Sequence, residues 1–251
     1  MIWENLTSAA IDQLDRQIPV ILPIAAIEQH GPHLPLATDK IINEHFCRQL
    51  ENEISSQVLF LPTIAVTCSR HHMDFPGTLT VSHETLSRQV QETLSAVVEH
   101  GFRNLIIFNS HGGNQAVAGV ILEQFGAAHP ECRVAVATWW RIAADQLLPI
   151  SETGPGGIGH ACEFETSLVL LAAPDLVDAK SIEGKHNTPT FAWAEGDLIR
   201  GAQASLFRTM KQMTPNGAYG DPRAASREKG VAITEIVVRK LRQLITDLTI
   251  D

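Results

Sequence analysis

Nowhere in this chain do apolar residues run for the roughly 20 positions that a membrane-spanning helix requires. The residues after Met1, among them Trp3, Glu4 and Asn5, lack the basic start and apolar stretch of a secretory leader. Cations are scarce too: 19 Lys and Arg stand against 28 Asp and Glu, the net charge is -9, and the basic residues form no cluster. Nothing here can neutralise a run of phosphates, which argues against nucleic acid as a partner. Cysteine occurs only four times, at Cys47, Cys68, Cys132 and Cys162, with no CxxC spacing, so neither a zinc knuckle nor a redox pair is expected. The thiols are read as reduced, with Cys47 and Cys132 as small core residues. A soluble, cytoplasmic protein acting on a small molecule, with no membrane contact, is the expectation. No linker, repeat or low-complexity segment divides residues 1–251, and 44% hydrophobic residues suffice for one sizeable core, hence one domain.

What the chain does have is alternation of two periodicities. Pro19 to Ile27 is a near-continuous apolar run rich in Val and Ile, as suits a strand buried on both faces of a parallel sheet, and it ends at Glu28. Ile42, Phe46 and Leu50 mark a helix at four-residue spacing, followed by a short strand from Val58 to Leu61. Leu86, Val90, Leu94, Val97 and Val98 give a second helix, which Ser82 can cap and Gly101 can close before a strand from Asn104 to Phe108. A third helix over about Gln115 to Ala128 leads to a strand from Arg133 to Thr138. A last amphipathic helix carries Ile233, Ile236, Val237, Leu241, Leu244 and Leu248. This order predicts an α/β fold with a mainly parallel sheet covered on both faces. Segments 150–159 and 188–220 lack periodicity and read as long loops or lids.

Eleven histidines are the informative count. In open parallel sheets the loops at the carboxyl ends of the strands converge with helix N-termini, so polar clusters there mark ligand sites. EQHGPHLPLATD after the first strand supplies Glu28, His30, His33 and Asp39, and NSHGGN after the third strand supplies His111. GHACEFETS opens a helix and supplies His160, Glu163 and Glu165. Imidazoles and carboxylates without thiolate suit Zn, Mn or Fe, and a carboxylate such as Asp39 can bridge two divalent ions. Such a site lowers the pKa of bound water toward about 7 and polarises a carbonyl, which hydrolysis of an unactivated amide requires.

Taken singly, each string has an ordinary reading. HGGN is a plain strand-to-helix turn or the oxyanion loop of some esterases, and early acids suit the first turn of any helix. The three together favour a shared metal site. Gly112 and Gly113 allow close backbone approach and are candidate substrate residues, as are His72 and Trp140. His71 and His72 stand open between a pocket wall and a surface pair. Trp139 and Trp140, closing the fourth strand, stand open between a stacking wall and a core pair. His45, His83, His100, His129 and His186, with no acidic or glycine context, are read as surface residues.

Several ordered strings at matching intervals resemble the creatininase (creatinine amidohydrolase) family over nearly the whole chain: LPIAAIEQHGPHLPLATD, FPGTLT, NSHGGN, the Trp139 and Trp140 pair, HACEFETS with LLAAPDLVD, and GDPRAASREKG. The resemblance implies a three-layer α/β/α sandwich, a homohexamer, and two divalent ions per chain at the carboxyl ends of the strands. It also implies Glu28, His30, Asp39 and His111 as metal ligands with Asp39 bridging, and His160 as the proton shuttle to the leaving nitrogen. Glu165 matches an acidic position, a further ligand or a base near the bridging water. One departure stands out. Creatininase reads His-Tyr-Glu-Asn where this chain reads His111, Gly112, Gly113, Asn114, so Gly113 removes a metal-binding carboxylate. The Gly-Gly form resembles relatives that deformylate formamidopyrimidine nucleotides or act on other amides. The expected reaction is therefore cleavage of a non-peptide C–N bond of a small or cyclic amide by a metal-activated bridging water. Attack on a C–C bond or lactone of a sugar-like ring, and a non-catalytic binding role, are the alternatives.

Overall fold

The computed structural model describes residues 1–250. Four strands, β1 (Val20–Ile24), β2 (Leu59–Phe60), β3 (Asn104–Asn109) and β4 (Arg133–Thr138), form one sheet in the order β2-β1-β3-β4, and every pairing is parallel. All residues of β1 and β3, the two central strands, are buried, as expected for strands covered on both faces. The helices are α1 (Ser8–Asp12), α2 (Thr38–Ile54), α3 (His83–Glu99), α4 (Gln115–Ala128), α5 (Trp139–Ile142), α6 (Ala144–Leu147), α7 (Glu163–Ala172), α8 (Met210–Met213) and α9 (Arg227–Thr249).

Because strand side chains alternate, the sheet has two apolar faces, and each has its own core. Ile21, Ile106 and Phe108 pack with Ile42, Phe46 and Leu50 of α2, Phe164 and Leu168 of α7, and Ile233, Val237 and Leu241 of α9. On the other face Val20, Leu22, Leu105 and Ile107 pack with Leu86, Val90 and Leu94 of α3 and Val117, Ile121 and Phe125 of α4. The result is the three-layer α/β/α sandwich. Among the described residues no helix is long and apolar enough to cross a membrane.

Local signals set most boundaries. Ser82 caps α3 by accepting from Thr85 N at 3.1 Å, and Gly101 closes it at φ +96°, a left-handed conformation that glycine adopts without steric cost. The apolar run from Pro19 outlasts its strand. After Ile24 the chain leaves the ladder, Ala25 N bonds Ile64 O at 3.0 Å and Ile27 bridges Leu79, a bend that delivers Glu28 to the sheet edge.

Helices α7 and α9 touch through their backbones. A Cβ on Gly230 would lie 2.3 Å from Ser167 O, and Ser226 N donates to Ser167 Oγ at 3.1 Å. Lys229, buried beside this contact, pairs with Glu163, with Glu152 at 2.7 Å and with Ala224 O at 2.8 Å. Gly230→Ala is therefore expected to lower unfolding free energy by about 1–3 kcal/mol through overpacking. Urea denaturation reads this directly, and an unchanged midpoint would show that the helices can part without loss.

Candidate metal centre

The three polar clusters meet at the carboxyl ends of β1 and β3, where a few buried amides hold the loops. Asn43 of α2 donates to Ile24 O at 3.1 Å and Phe108 O at 3.0 Å, tying the first turn of α2, and so Asp39, to the ends of both strands. Ser110 Oγ donates to Asp39 O at 2.9 Å. Asn109 accepts from His111 N at 3.1 Å and donates to His111 O at 2.8 Å, fixing the histidine's backbone. Asn43, Asn109 and Gln29 were not singled out from the sequence, because an asparagine or glutamine beside a strand is indistinguishable from a loop residue until its carbonyl partners are known.

Within this frame His111 Nδ1 lies 3.3 Å from Glu28 Oε1 and 3.1 Å from Asp39 Oδ2, and His30 Nε2 lies 3.3 Å from Asp39 Oδ1. The two oxygens of Asp39 thus face two different imidazoles, the disposition a bridging carboxylate needs. Outward hydrogen bonds select the ring tautomers. His30 Nδ1–H donates to Glu28 O at 3.1 Å and His111 Nε2–H to Cys68 O at 3.1 Å, leaving His30 Nε2 and His111 Nδ1 as lone pairs turned toward carboxylates. Glu28 Oε2, His30 Nε2 and Asp39 Oδ2 are buried without a hydrogen-bond partner. Close, buried, mutually repelling lone pairs are stable only around a cation or a proton, so this donor set fits a divalent ion. Three groupings are compact enough to hold one, among them Glu28, Asp39 and His111, and His30, His160 and Glu165. A third joins Glu28, His72 and His160.

The titration shifts follow from the same crowding. Burial opposes protonation of His30, yet Asp39 and the neighbouring carboxylates raise it to about 9. Burial likewise opposes His111, which Glu28 and Asp39 nevertheless hold well above the usual histidine range. Glu165 is pushed up to about 7 by burial against the pull of His30, and its Oε2 accepts from Ala161 N at 2.5 Å. His160 is lowered well below the usual range by burial and by His30. Its Nε2–H donates to Gln29 O at 2.6 Å, and its Nδ1 lies 3.5 Å from Glu28 Oε1. Ala161, next to it, takes a left-handed φ of 53°, and reciprocal backbone bonds between His160 and Tyr219 hold the strained turn.

His72 belongs to the site rather than to a surface pair. It is buried, and Gln29 orients it: Gly31 N donates to Gln29 Oε1 at 3.0 Å, so Gln29 Nε2 donates to His72 Nδ1 at 2.9 Å. The His72 proton then sits on Nε2, 3.3 Å from Glu28 Oε1, a donor rather than a lone pair. His71 stacks on His111 with ring centroids 5.8 Å apart.

Other expectations are corrected. His33 is not in the cluster; its Nε2 meets Thr166 Oγ1 at 2.9 Å, and burial and His30 lower it to about 4. Glu163 is also elsewhere, committed to Lys229 and to the backbone of Glu152 and Thr153. Gly113 does not border the cavity: a Cβ there would come within 2.4 Å of both Cys68 O and His111 Nε2, so a side chain would displace the bond that orients His111, whereas Gly112 does border it. The tryptophans open α5 rather than closing β4; both are buried, Trp139 packs 5.9 Å from Phe46, and Trp140 also forms a cavity wall. His45 is buried and meets Thr234 Oγ1 at 2.9 Å, a core histidine and not a surface one.

Above the cluster lies a cavity of about 290 Å³, walled by Trp140, Gly112, His71, Tyr219 and residues of segment 188–213, which covers it like a lid. This is the size of a small-ligand pocket. The creatinine amidohydrolase model of the creatininase family matches residues 4–245. This chain belongs to the creatininase family. It is 29% identical over 244 residues to the creatinine amidohydrolase of Pseudomonas putida, covering 91% of this chain and 88% of that one. It is 29% identical over 249 residues to the mycofactocin precursor peptide peptidase of Mycobacterium tuberculosis (strain CDC 1551 / Oshkosh), covering 93% and 87%. A solved manganese form of creatininase superposes with a TM-score of 0.79 at 24% identity, over 98% of this chain and 97% of that one. The chain is a hydrolase of this family.

At pH 7, below the His30 value of about 9, a cation entering the site must displace a proton. Because His111 is held above the usual histidine range as well, uptake of Zn or Mn by metal-free protein is expected to release more than one proton and to tighten by at least about tenfold per pH unit toward pH 9. Calorimetry in two buffers of different ionisation enthalpy measures it; no proton release would show that His30 is not a ligand.

Proposed function

We propose that this creatininase-family chain, a single domain, is a metal-dependent amidohydrolase cleaving a non-peptide C–N bond of a small or cyclic amide. The observation that supports it most is the convergence of unpartnered atoms of Glu28, His30 and Asp39 with His111 Nδ1 beneath a small cavity walled by His160. On this reading those four residues would hold two divalent ions, Zn, Mn or Fe, with Asp39 able to serve both, and Glu165 would be a further ligand or a base. Bound ions there would supply a water of lowered pKa and a polarised carbonyl.

The chain's own groups account for the proton movement. His160 has its Nε2–H held by Gln29 O, so Nδ1 is the free base, 3.5 Å from Glu28. Neutral at pH 7, it takes the proton lost by the attacking water. The protonated Nδ1–H is then available to the departing nitrogen, the same group serving both half-steps. Trp140 and the 188–213 segment exclude bulk water from the reacting bond. A homohexamer goes with the same reading and is checked by light scattering.

Elemental analysis is expected to find about two ions per chain in wild type and a loss in Asp39→Ala. His160→Ala is expected to keep its metal and lose about 10²–10⁴ in kcat on an amide panel. Full turnover by His160→Ala would overturn the shuttle role. Turnover only of cyclic ketones or lactones in a parallel panel would replace the amide assignment.

A further inference from the structure

The lid contributes one charged group to the cavity that the proposed reaction does not use. Arg208, half-buried, walls the same cavity as Glu28, Asp39 and His160, and it is the only Lys or Arg among the described residues that does. Its guanidinium makes one hydrogen bond, from Nη1 to Thr188 O at 3.3 Å, and has no carboxylate partner among the described residues. In a chain with 28 acids against 19 Lys and Arg, an unpaired arginine in a cavity wall is unusual. The acid that the same segment adds to that wall offers nothing, because Asp197 is already satisfied by Arg200 at 2.7 Å and by the N–H groups of Gly156, Ile199 and Arg200.

The cavity is therefore polarised. Its lining combines the cluster of carboxylates and imidazoles with the apolar Trp140, Leu206, Met210 and Met213, and Arg208 is its free cation. A guanidinium with most of its donors unused and partly removed from water matches a planar or tetrahedral anion, bidentately and with little reorganisation. The net charge of -9 would otherwise repel such a ligand.

We propose that Arg208 binds an anionic group of the substrate, so that the substrate is a small amide whose carboxylate or phosphate is separated from the scissile C–N bond by a short apolar spacer. This rests on the amidohydrolase reading for the identity of the bond, and on Arg208 alone for the charge.

The test compares metal-loaded wild type with Arg208→Ala and Arg208→Lys on succinamate and succinamide, which differ only in the charge of the distal group, with phosphonoacetamide alongside. Calorimetry with succinate provides a readout that needs no turnover. The expected result is a preference in kcat/KM for the charged amide of at least about tenfold in wild type, reduced at least tenfold in Arg208→Ala and partly restored in Arg208→Lys, with succinate affinity falling in parallel. Stronger use of the phosphonate would assign the anion as phosphate, weaker use as carboxylate, and either agrees with the proposal. Equal use of charged and neutral amides, or a charge preference or succinate affinity that survives in Arg208→Ala, would overturn it while leaving the amidohydrolase reading intact. Succinate binding that depends on Arg208, with no amide hydrolysed, would support the anion site and overturn the amidohydrolase reading instead.

Discussion

Two carboxylates and two imidazoles with their lone pairs turned on one another, out of water, form the constraint on which the rest of this molecule depends. Glu28, His30, Asp39 and His111 cannot relax into ordinary hydrogen bonds, because each ring's other nitrogen is already committed to a main-chain carbonyl. Burying such groups unpaired costs several kcal/mol each, so the fold has to supply both a counter-charge and a rigid frame. Protons meet the first need when the site is free of cations, as the raised pKa of His30 shows. The parallel sheet meets the second.

The frame is built from amides rather than from more charge. Asn43, Asn109, Asn114 and Gln29 connect the ends of β1 and β3, the start of α2 and the loop before α4. Neutral amides can join main-chain groups without altering the field inside the cluster, whereas an extra lysine would compete with a metal for the carboxylates. The one buried lysine, Lys229, is kept out of the cluster beside the first residue of α7, where Glu163 absorbs its charge and the α7–α9 contact is locked. Charge in this protein is thereby divided into a structural pair and a functional cluster on the same helix, two residues apart at Glu163 and Glu165.

The glycines after His111 illustrate how tightly the arrangement is drawn. Where the resemblance to creatininase implied a lost carboxylate at Gly113, the structure adds a steric reason for glycine: the Cβ position is occupied by the Cys68 carbonyl and by His111 itself. The loop that orients His111 through Nε2 and the absence of a side chain at position 113 are one feature. A relative with a side chain here must place its histidine and the segment around Cys68 differently, which makes this loop a natural point for the family to change chemistry.

The sequence by itself determined the layer order, the parallel sheet and the clusters that carry the site, because apolar periodicity and polar strings at strand ends are local and survive in one dimension. Ser82 and Gly101 bounded α3 for the same reason. Only the tertiary structure decided which member of each string faces the cluster. Glu163 and Glu165, or His30 and His33, look alike in sequence, and their fates differ by the direction a helix or turn happens to point them. Nor could sequence show that His45 is buried against Thr234, that His72 is oriented by Gln29, or that Arg208 comes back over the cavity from a segment without periodicity. Those facts depend on contacts between residues from 43 to about 190 positions apart, and long-range packing, unlike periodicity, leaves no pattern in the local order of residues.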